Sequence, residues 1–516
     1  MSQADGAVPQ GDPPSVGAAR AERNGAYDAG LAPVFTVTAF LSALLLFALQ
    51  PMFAKMVLPV LGGSPSVWAV ALCFFQAALL AGYCYAHLLI AWLPVRWTGL
   101  VHLAVSAAAA LALPVALPAA WGEPPVGEPY VWQIGLFAVA IGAPFVAVAA
   151  NAPLLQSWFA ASGHRDARDP YFLYAASNLG SLVALLAYPF VLEPWLGLSV
   201  LSRAWTIGYA VLVLSVAAAF AMVARRAVPP QPPLSTPAGV PDAAPPDLAP
   251  TWSRRAACVG LAFVPSALLT AFTTHVATDV ASAPLLWVLP LSLYLLTFVL
   301  VFRPWPMAIK PALLQAHLAT IVAALLVLSQ TRLESWFLAS AAGVAAFFTS
   351  ALVAHRQLYD TRPAAAHLTE FYLLMALGGA LGGLAAGLLA PKIFSEVFEY
   401  PLLIALSAAC RPGALRPRTD WSREILVVWL IVAGGVLAVY WIPWAVSAGY
   451  LPSGDWGATP LVAALLASVA VLAIRHPTRQ LAAVLMMVLA VVWLPSSVRR
   501  GDATRSFFGV YRVMTS

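Results

Sequence analysis

Apolar runs about as long as a bilayer-crossing helix recur along most of the chain. They fall near residues 34–57, 66–93, 97–120, 130–160, 169–192 and 200–224. They resume near 256–277, 284–303, 308–330, 333–355, 368–391 and 398–410, the last of these short. Further runs follow at 424–445, 459–474 and 480–497. Roughly 20 consecutive apolar residues cross the hydrocarbon core as a helix. In lipid a segment must satisfy its own backbone polar groups, so each run predicts a helix. Between the two blocks of six lies RRAVPPQPPLSTPAGVPDAAPPDLAPTWSRR, Arg225 to Arg255. It is Pro-rich, carries Arg pairs at both ends and has no apolar period, which predicts a partly extended linker.

The expected organisation follows from these boundaries. Residues 1–32 are polar and read as a disordered tail, without the apolar core of a signal peptide, so the first run is expected to be an uncleaved anchor. Residues 33–224 form a first transmembrane half, 225–255 the linker, 256–410 a second half and 411–497 additional membrane helices. The segment 498–516 contains RSFFGVYRVMTS, an alternating aromatic stretch that reads as one strand. A lone strand cannot satisfy its own hydrogen bonds, so a partner or a following domain is expected beside it.

Composition fixes the class. Of 516 residues 61% are hydrophobic and 9% charged, and mean hydropathy is +0.84. Soluble domains carry about 25% charge. A chain this poor in charge cannot clothe a water-facing surface, so an all-α polytopic membrane protein is expected. The net charge of +6 comes from Arg in short loops, with no basic run interleaved with aromatics, which excludes nucleic acid as a partner and leaves the lipid bilayer. Cys73, Cys84, Cys258 and Cys410 are scattered, without a CxxC pair, and read as small buried hydrophobes.

Loop charges orient the chain. Arg96, the cluster His164–Arg165–Asp166–Arg168, the linker, and Arg356 with Arg362 fall on alternate loops, while Glu123, Glu128 and Glu193 fall on the others. The positive-inside rule then places the N-terminus and the linker in the cytoplasm. Three further spans would carry Arg499 and Arg500 outside, so one late run is expected to re-enter or lie in the interface.

An internal repeat is legible. PSVW (Pro65 to Trp68) matches PLLW (Pro284 to Trp287), and LGSLVALLAYP (Leu179 to Pro189) matches LGGLAAGLLAP (Leu381 to Pro391). Two parallel six-helix halves are expected, as in a major facilitator-type bundle, with two or three extra C-terminal helices.

Candidate chemistry is sparse. In TTHVATDVASAPLLW, His275 and Asp279 stand four apart beside Thr274 and share a helical face. Ionisable groups in a bilayer are costly and point to function. Asp279 could attract a cation and His275 relay a proton; the alternative is a helix end already in water. In LFALQPMFAKMVLPVLGG, Gln50 precedes Pro51 and Lys55 follows. This is either a broken helix facing a cavity or a kinked packing helix with a snorkelling Lys55. Asn151, Gln156 and Asn178 either bind a solute or bond helix to helix. Asp169 and Glu370 open their helices and read as caps. The glycines of LGGALGGLAAGLL lack the strand and acidic residue of a dinucleotide site and read as helix packing. No catalytic set, metal cluster or cofactor motif is present in the sequence.

Four stretches together carry a resemblance: LFALQPMFAKMVLPVLGGSPSVW, DPYFLYAASNLGSLVALLAYP, TTHVATDVASAPLLWVLPLSLYLLTFVLVF and TEFYLLMALGGALGG. They resemble the membrane region of bacterial membrane-bound spermidine synthase-like proteins, in which a facilitator-like region is fused to a synthase domain. The resemblance covers about residues 34–410. It implies a transport-like fold in the bacterial inner membrane, and a terminal RSFFGVYRV leading towards a synthase β-domain. The synthase motifs themselves do not occur, so aminopropyl transfer is carried onto no residue. Two functions follow as expectations: a transporter, with a polyamine or related cation as its solute, or a membrane anchor for a separate synthase-like enzyme bound through the tail.

Overall fold

The computed structural model describes residues 16–125, 129–167, 170–225, 250–279, 287–302, 309–329, 336–363, 367–415, 421–451, 458–493, 502–506 and 509–513. Among the described residues each apolar run holds a helix, though the run 97–120 is helical only to Ala112 before a non-helical stretch at 113–118. The first half holds α1 (Val16–Leu61), α2 (Pro65–Trp92), α3 (Val95–Ala109), α4 (Tyr130–Ala160), α5 (Tyr171–Trp195) and α6 (Leu198–Ala224). The second holds α7 (Trp252–Asp279), α8 (Val288–Val301), α9 (Ile309–Leu328), α10 (Trp336–Asp360), α11 (Leu368–Ile393) and α12 (Glu399–Cys410). Then come α13 (Trp421–Ser447), α14 (Ala458–Leu472) and α15 (Pro477–Trp493). Among the described residues, 11 helices are long and apolar enough to cross a membrane, and α8, α12, α14 and α15 are shorter apolar helices. Large apolar side chains face outward in mid-helix, such as Ile207, Leu214 and Leu430. In water such a surface would aggregate; in a bilayer it is the surface that lipid covers.

The repeat is physical. In the first half α1 packs along α5 and α2 along α4; in the second, α7 packs along α11 and α8 along α10. The halves meet where α2 touches α11 and where α8 touches α5. The matched glycines explain the closest of these contacts. Gly180 of α5 rests on the Phe40 carbonyl of α1. A Cβ at Gly382 of α11 would stand 2.6 Å from the Phe263 carbonyl oxygen and 2.8 Å from the Ala267 nitrogen of α7. The matched prolines have a shared effect too. α5 passes through a π turn at Tyr188–Leu192, which holds Pro189, and α11 through one at Ala385–Leu389, just before Pro391. A proline lacks the N–H that would continue the ladder, and the wider turn accommodates the gap.

α13, α14 and α15 pack on one another, and the group leans on α9 and α12 of the second half. The chain closes with β1 (Asp502–Ser506) and β2 (Gly509–Val513), paired antiparallel with Thr504 opposite Tyr511. Arg505 clasps this hairpin to the α11–α12 connection. Its guanidinium donates to both carboxylate oxygens of Glu399, at 2.9 and 3.1 Å, and to the Glu396 carbonyl at 3.2 Å.

Two expectations change, and one open alternative is decided. The terminal stretch is a two-stranded hairpin rather than one strand, because the polar residues Asp502–Ser506 supply the partner from within the chain. α1 begins at Val16, inside the stretch read as a disordered tail. No break occurs at Gln50–Pro51; α1 runs through Pro51 and Pro59 to Leu61, as prolines in lipid allow when neighbours re-satisfy the backbone. The late runs form α13, α14 and α15, of which α13 is long and apolar enough to cross a membrane and the other two are shorter. The hairpin sits where α11 finishes and α12 begins, at the end opposite the starts of α7 and α11.

The glycine contacts predict a mutation pair. Gly382→Ala forces the α7 and α11 backbones apart and should destabilise the protein by about 1–3 kcal/mol, as overpacking does. Gly260→Ala, on the same α7 with open space around it, should leave the melting temperature in detergent unchanged or higher.

Candidate functional site

A cavity of about 150 Å³ lies between the halves. α1 lines it with Ser42, Leu46, Phe47 and Gln50, and α2 with Phe75, Gln76, Leu79 and Tyr83. α4 adds Phe145 and Val148, and α5 adds Tyr174, Ser177, Asn178 and Ser181. From the second half α7 gives Ser266 and Leu269, α8 gives Leu291, Tyr294 and Phe298, and α11 gives Met375 and Gly379. Each arrives from an apolar helix whose other faces are buried against its own half or turned to lipid.

Several of these polar groups bond back to the helices. Ser42 donates to the Val148 carbonyl at 3.2 Å, Ser266 to Gly379 at 2.9 Å and Ser181 to Ser177 at 3.1 Å. The Asn178 amide nitrogen donates to the Tyr174 carbonyl at 2.8 Å. Two glutamines differ. Gln50 is 4% exposed and its side chain makes no hydrogen bond among the described residues. Gln76 reaches over Gly383 of α11, and its Oε1 is buried without a partner. A buried carbonyl oxygen left without a partner costs about 1–3 kcal/mol, and Gln76 carries one beside the cavity.

One end of the cavity is sealed. Tyr174 packs on Phe302, Phe298 and Tyr372, with ring centroids 4.5, 5.6 and 5.2 Å apart. Three hydrogen bonds cross between the halves at this same end. Tyr372 donates to Gln156 Oε1 at 2.6 Å, Tyr171 donates to the Pro363 carbonyl at 2.9 Å, and His87 meets Thr369 at 3.0 Å. It is the end where α5, α7 and α11 start, hence the linker end. At the opposite end Lys392 of α11 lies 5.8 Å from the centre of the Tyr130 ring on α4.

No Asp, Glu, Lys, Arg or His lines the cavity among the described residues. The charged groups of these helices pair elsewhere. Lys55 holds Glu193 at the far end, Arg255 holds Glu370 at 2.5 Å at the linker end, and Asp360 takes both Arg356 at 3.0 Å and Lys310 at 3.2 Å. Lys55 is thus one partner of an ion pair rather than a free snorkelling cation.

The residues singled out in the sequence separate into groups. Gln50 and Asn178 face the cavity. Gln156 sits at its sealed end, under the Tyr372 hydroxyl. Asn151 is turned away, its Oδ1 2.9 Å from His102 Nε2, and ties α3 to α4. Glu370 stands in the first turn of α11 without capping it; its carboxylate engages Arg255, with His367 at 3.8 Å. Thr274 is buried and back-bonded to the Thr270 carbonyl at 3.0 Å. His275 lies at the end opposite the linker, stacked on Tyr400 with centroids 4.5 Å apart. There it borders a smaller cavity with Glu396 and Val510 of the hairpin. The Asp279 side chain and Asp169 lie outside the described residues. Described candidates for a metal ion, as groups of three or more His, Cys, Asp or Glu, are absent among the described residues. The sequence reading passed over Gln76, whose signal is the one that marked Gln50: an amide in the middle of an apolar run.

No family model matches the chain, and no curated protein matches it. Solved structures with a similar chain path are transporters. They include a human organic anion transporter (14% identity, covering 75% of this chain and 95% of that one, TM-score 0.44). A peptide transporter in complex with sulfate gives 14% identity, coverage of 75% and 94%, and TM-score 0.48. A bacterial homologue of the human lysosomal transporter Spinster, inward-facing and unoccupied, gives 15% identity, coverage of 90% and 96%, and TM-score 0.43.

The sealed end can be probed by a double-mutant cycle. Tyr372→Phe and Gln156→Leu should each lower stability, and their coupling in denaturant unfolding should be about 0.5–1.7 kcal/mol, the range for interhelical hydrogen bonds in membranes. Additivity within error would show that the bond contributes nothing to closing this end.

Proposed function

We propose that the protein is a membrane carrier that passes a small solute through the central cavity as its two halves rock against each other. The observation that carries this reading is a cavity lined from both halves by uncharged polar and aromatic groups and closed at one end by cross-half contacts. Rocking of one repeat against the other around a midplane site is how two-half transporters alternate access. The contacts at the linker end are few, directional and built from side chains, so exchanging them for contacts at the other end requires no refolding.

The resemblance to spermidine synthase-like fusions brings a polyamine as a candidate solute. The cavity lends it little support. A polyamine's ammonium groups need carboxylates to replace lost hydration, and the described lining has none. The anchor reading needs a tail free to meet a cytosolic partner. Against it, Arg505 is engaged by Glu399 of the same chain, at the end away from the linker. With the linker in the cytoplasm, as the loop charges indicate, the hairpin lies on the outer side of a bacterial inner membrane.

Labelling from either side of the membrane tests the carrier. With the four native cysteines replaced by Ala, Ser177→Cys should react with an impermeant maleimide from the hairpin side and far more slowly from the linker side. Removing two cross-half bonds with Thr369→Val and Tyr372→Phe should raise linker-side labelling about tenfold, the shift expected from roughly 1.4 kcal/mol. If neither side ever reaches position 177, the cavity is sealed core and the carrier reading fails.

A further inference from the structure

We infer that the solute of this cavity is an uncharged amphipathic molecule with an aromatic or branched apolar body and an amide-like polar group, held by Gln50 and Gln76. This rests on the carrier reading and adds the chemical class of its solute. Three observations converge on it.

The first is the missing counter-charge. The described lining offers amides, hydroxyls and rings and no ionised group of either sign. A low-dielectric site pays heavily for an ion that it cannot pair. Aromatic faces attract a cation only weakly by comparison. The charges that the same helices do carry are committed: Lys55 to Glu193 and Arg255 to Glu370.

The second is a pair of amides. Gln50 on α1 and Gln76 on α2 both line the cavity from the first half, and Gln76 Oε1 is buried without a partner among the described residues. A carboxamide offers two N–H donors and a carbonyl acceptor. Two of them match a neutral ligand that both donates and accepts, such as another amide. A bare hydrocarbon would leave them unsatisfied.

The third is shape. The remaining wall is apolar and ringed, with Phe75, Phe145, Phe298 and Tyr294 around the polar pair. The cavity, about 150 Å³, is smaller than the roughly 300–1,000 Å³ of drug-sized sites, which limits the ligand to a small body such as a single ring or branched chain. The rings give the ligand's body a surface to stack on, and the amides fix its orientation.

A charge series on one skeleton tests this in full-length protein in membranes. N-acetylphenylalaninamide is neutral, N-acetylphenylalanine is an anion, phenethylamine is a cation at neutral pH, and spermidine stands for the polyamine. Each is added at the same millimolar concentration during maleimide labelling of the Ser177→Cys protein. The neutral probe should slow labelling at least fivefold, and the three charged ones less than twofold. Gln50→Leu, close to isosteric, should abolish that protection while leaving the unprotected labelling rate unchanged; Gln76→Leu is the second variant should the first fail to fold. Protection by a charged member as strong as by the neutral one overturns the inference, as does protection by none of them. In either case position 177 still labels, so the carrier reading survives; only failure to label at all removes that reading.

Discussion

Lipid gives helices no reason to leave it for one another, since its tails are as apolar as the side chains they would replace. Association then depends on how closely two backbones can approach. In this protein that closeness comes from glycines: Gly180 on the α1 backbone, Gly378 and Gly382 on the α7 backbone. Each contact locks a pair, α1 with α5 and α7 with α11, and the two pairs are the rigid spines of the halves. What remains between the spines is the cavity. Its walls are helices whose positions were already decided on their other faces, so the cavity can stay polar and partly unsatisfied without the fold collapsing on it.

The placement of charge follows from the same economy of contacts. Each ion pair named above sits near a helix end, where water is near and its burial is partial. The exception is Arg505 with Glu399, both about 95% buried. It is bidentate, the geometry in which a guanidinium and a carboxylate recover most of what desolvation removes. The middle of the bundle is left to amides, hydroxyls and rings. Those groups can exchange partners with a solute at little cost, whereas a buried unpaired charge could not.

The architecture was largely legible in the sequence because one constraint dominates it. A segment that spans lipid must be helical and apolar over a set length, and among the described residues each such run holds a helix. The repeat was legible because its glycines and prolines act on backbone rather than on side-chain chemistry, so they tolerate little drift. What escaped was short and polar. The start of α1, VGAARAERNGAYDAG, is helical through good helix formers such as Ala, Arg and Glu, which leave no apolar period to read. β1 is DATRS, a strand with no alternation of its own, defined by the strand beside it. For the site, Gln50 and Asn178 were visible as amides among apolar neighbours. Their positions relative to Gln76, Tyr294 and Phe298 were not, since those come from α2 and, in the other half, from α8. His275 attracted attention through its charge, yet the bundle carries it to an end where an imidazole costs little.

The clasp between Arg505 and Glu399 has a mechanical meaning. Its contacts all fall on the α11–α12 connection, and the helices before it lean on α9 and α12. The hairpin is therefore freight of the second half alone and makes no claim on the first. Whatever angle α7 to α12 adopt relative to α1 to α6, the hairpin turns with them, like a pointer fixed to one plate of a hinge. A probe on β2 and another on α3 would read the hinge angle without either touching the cavity.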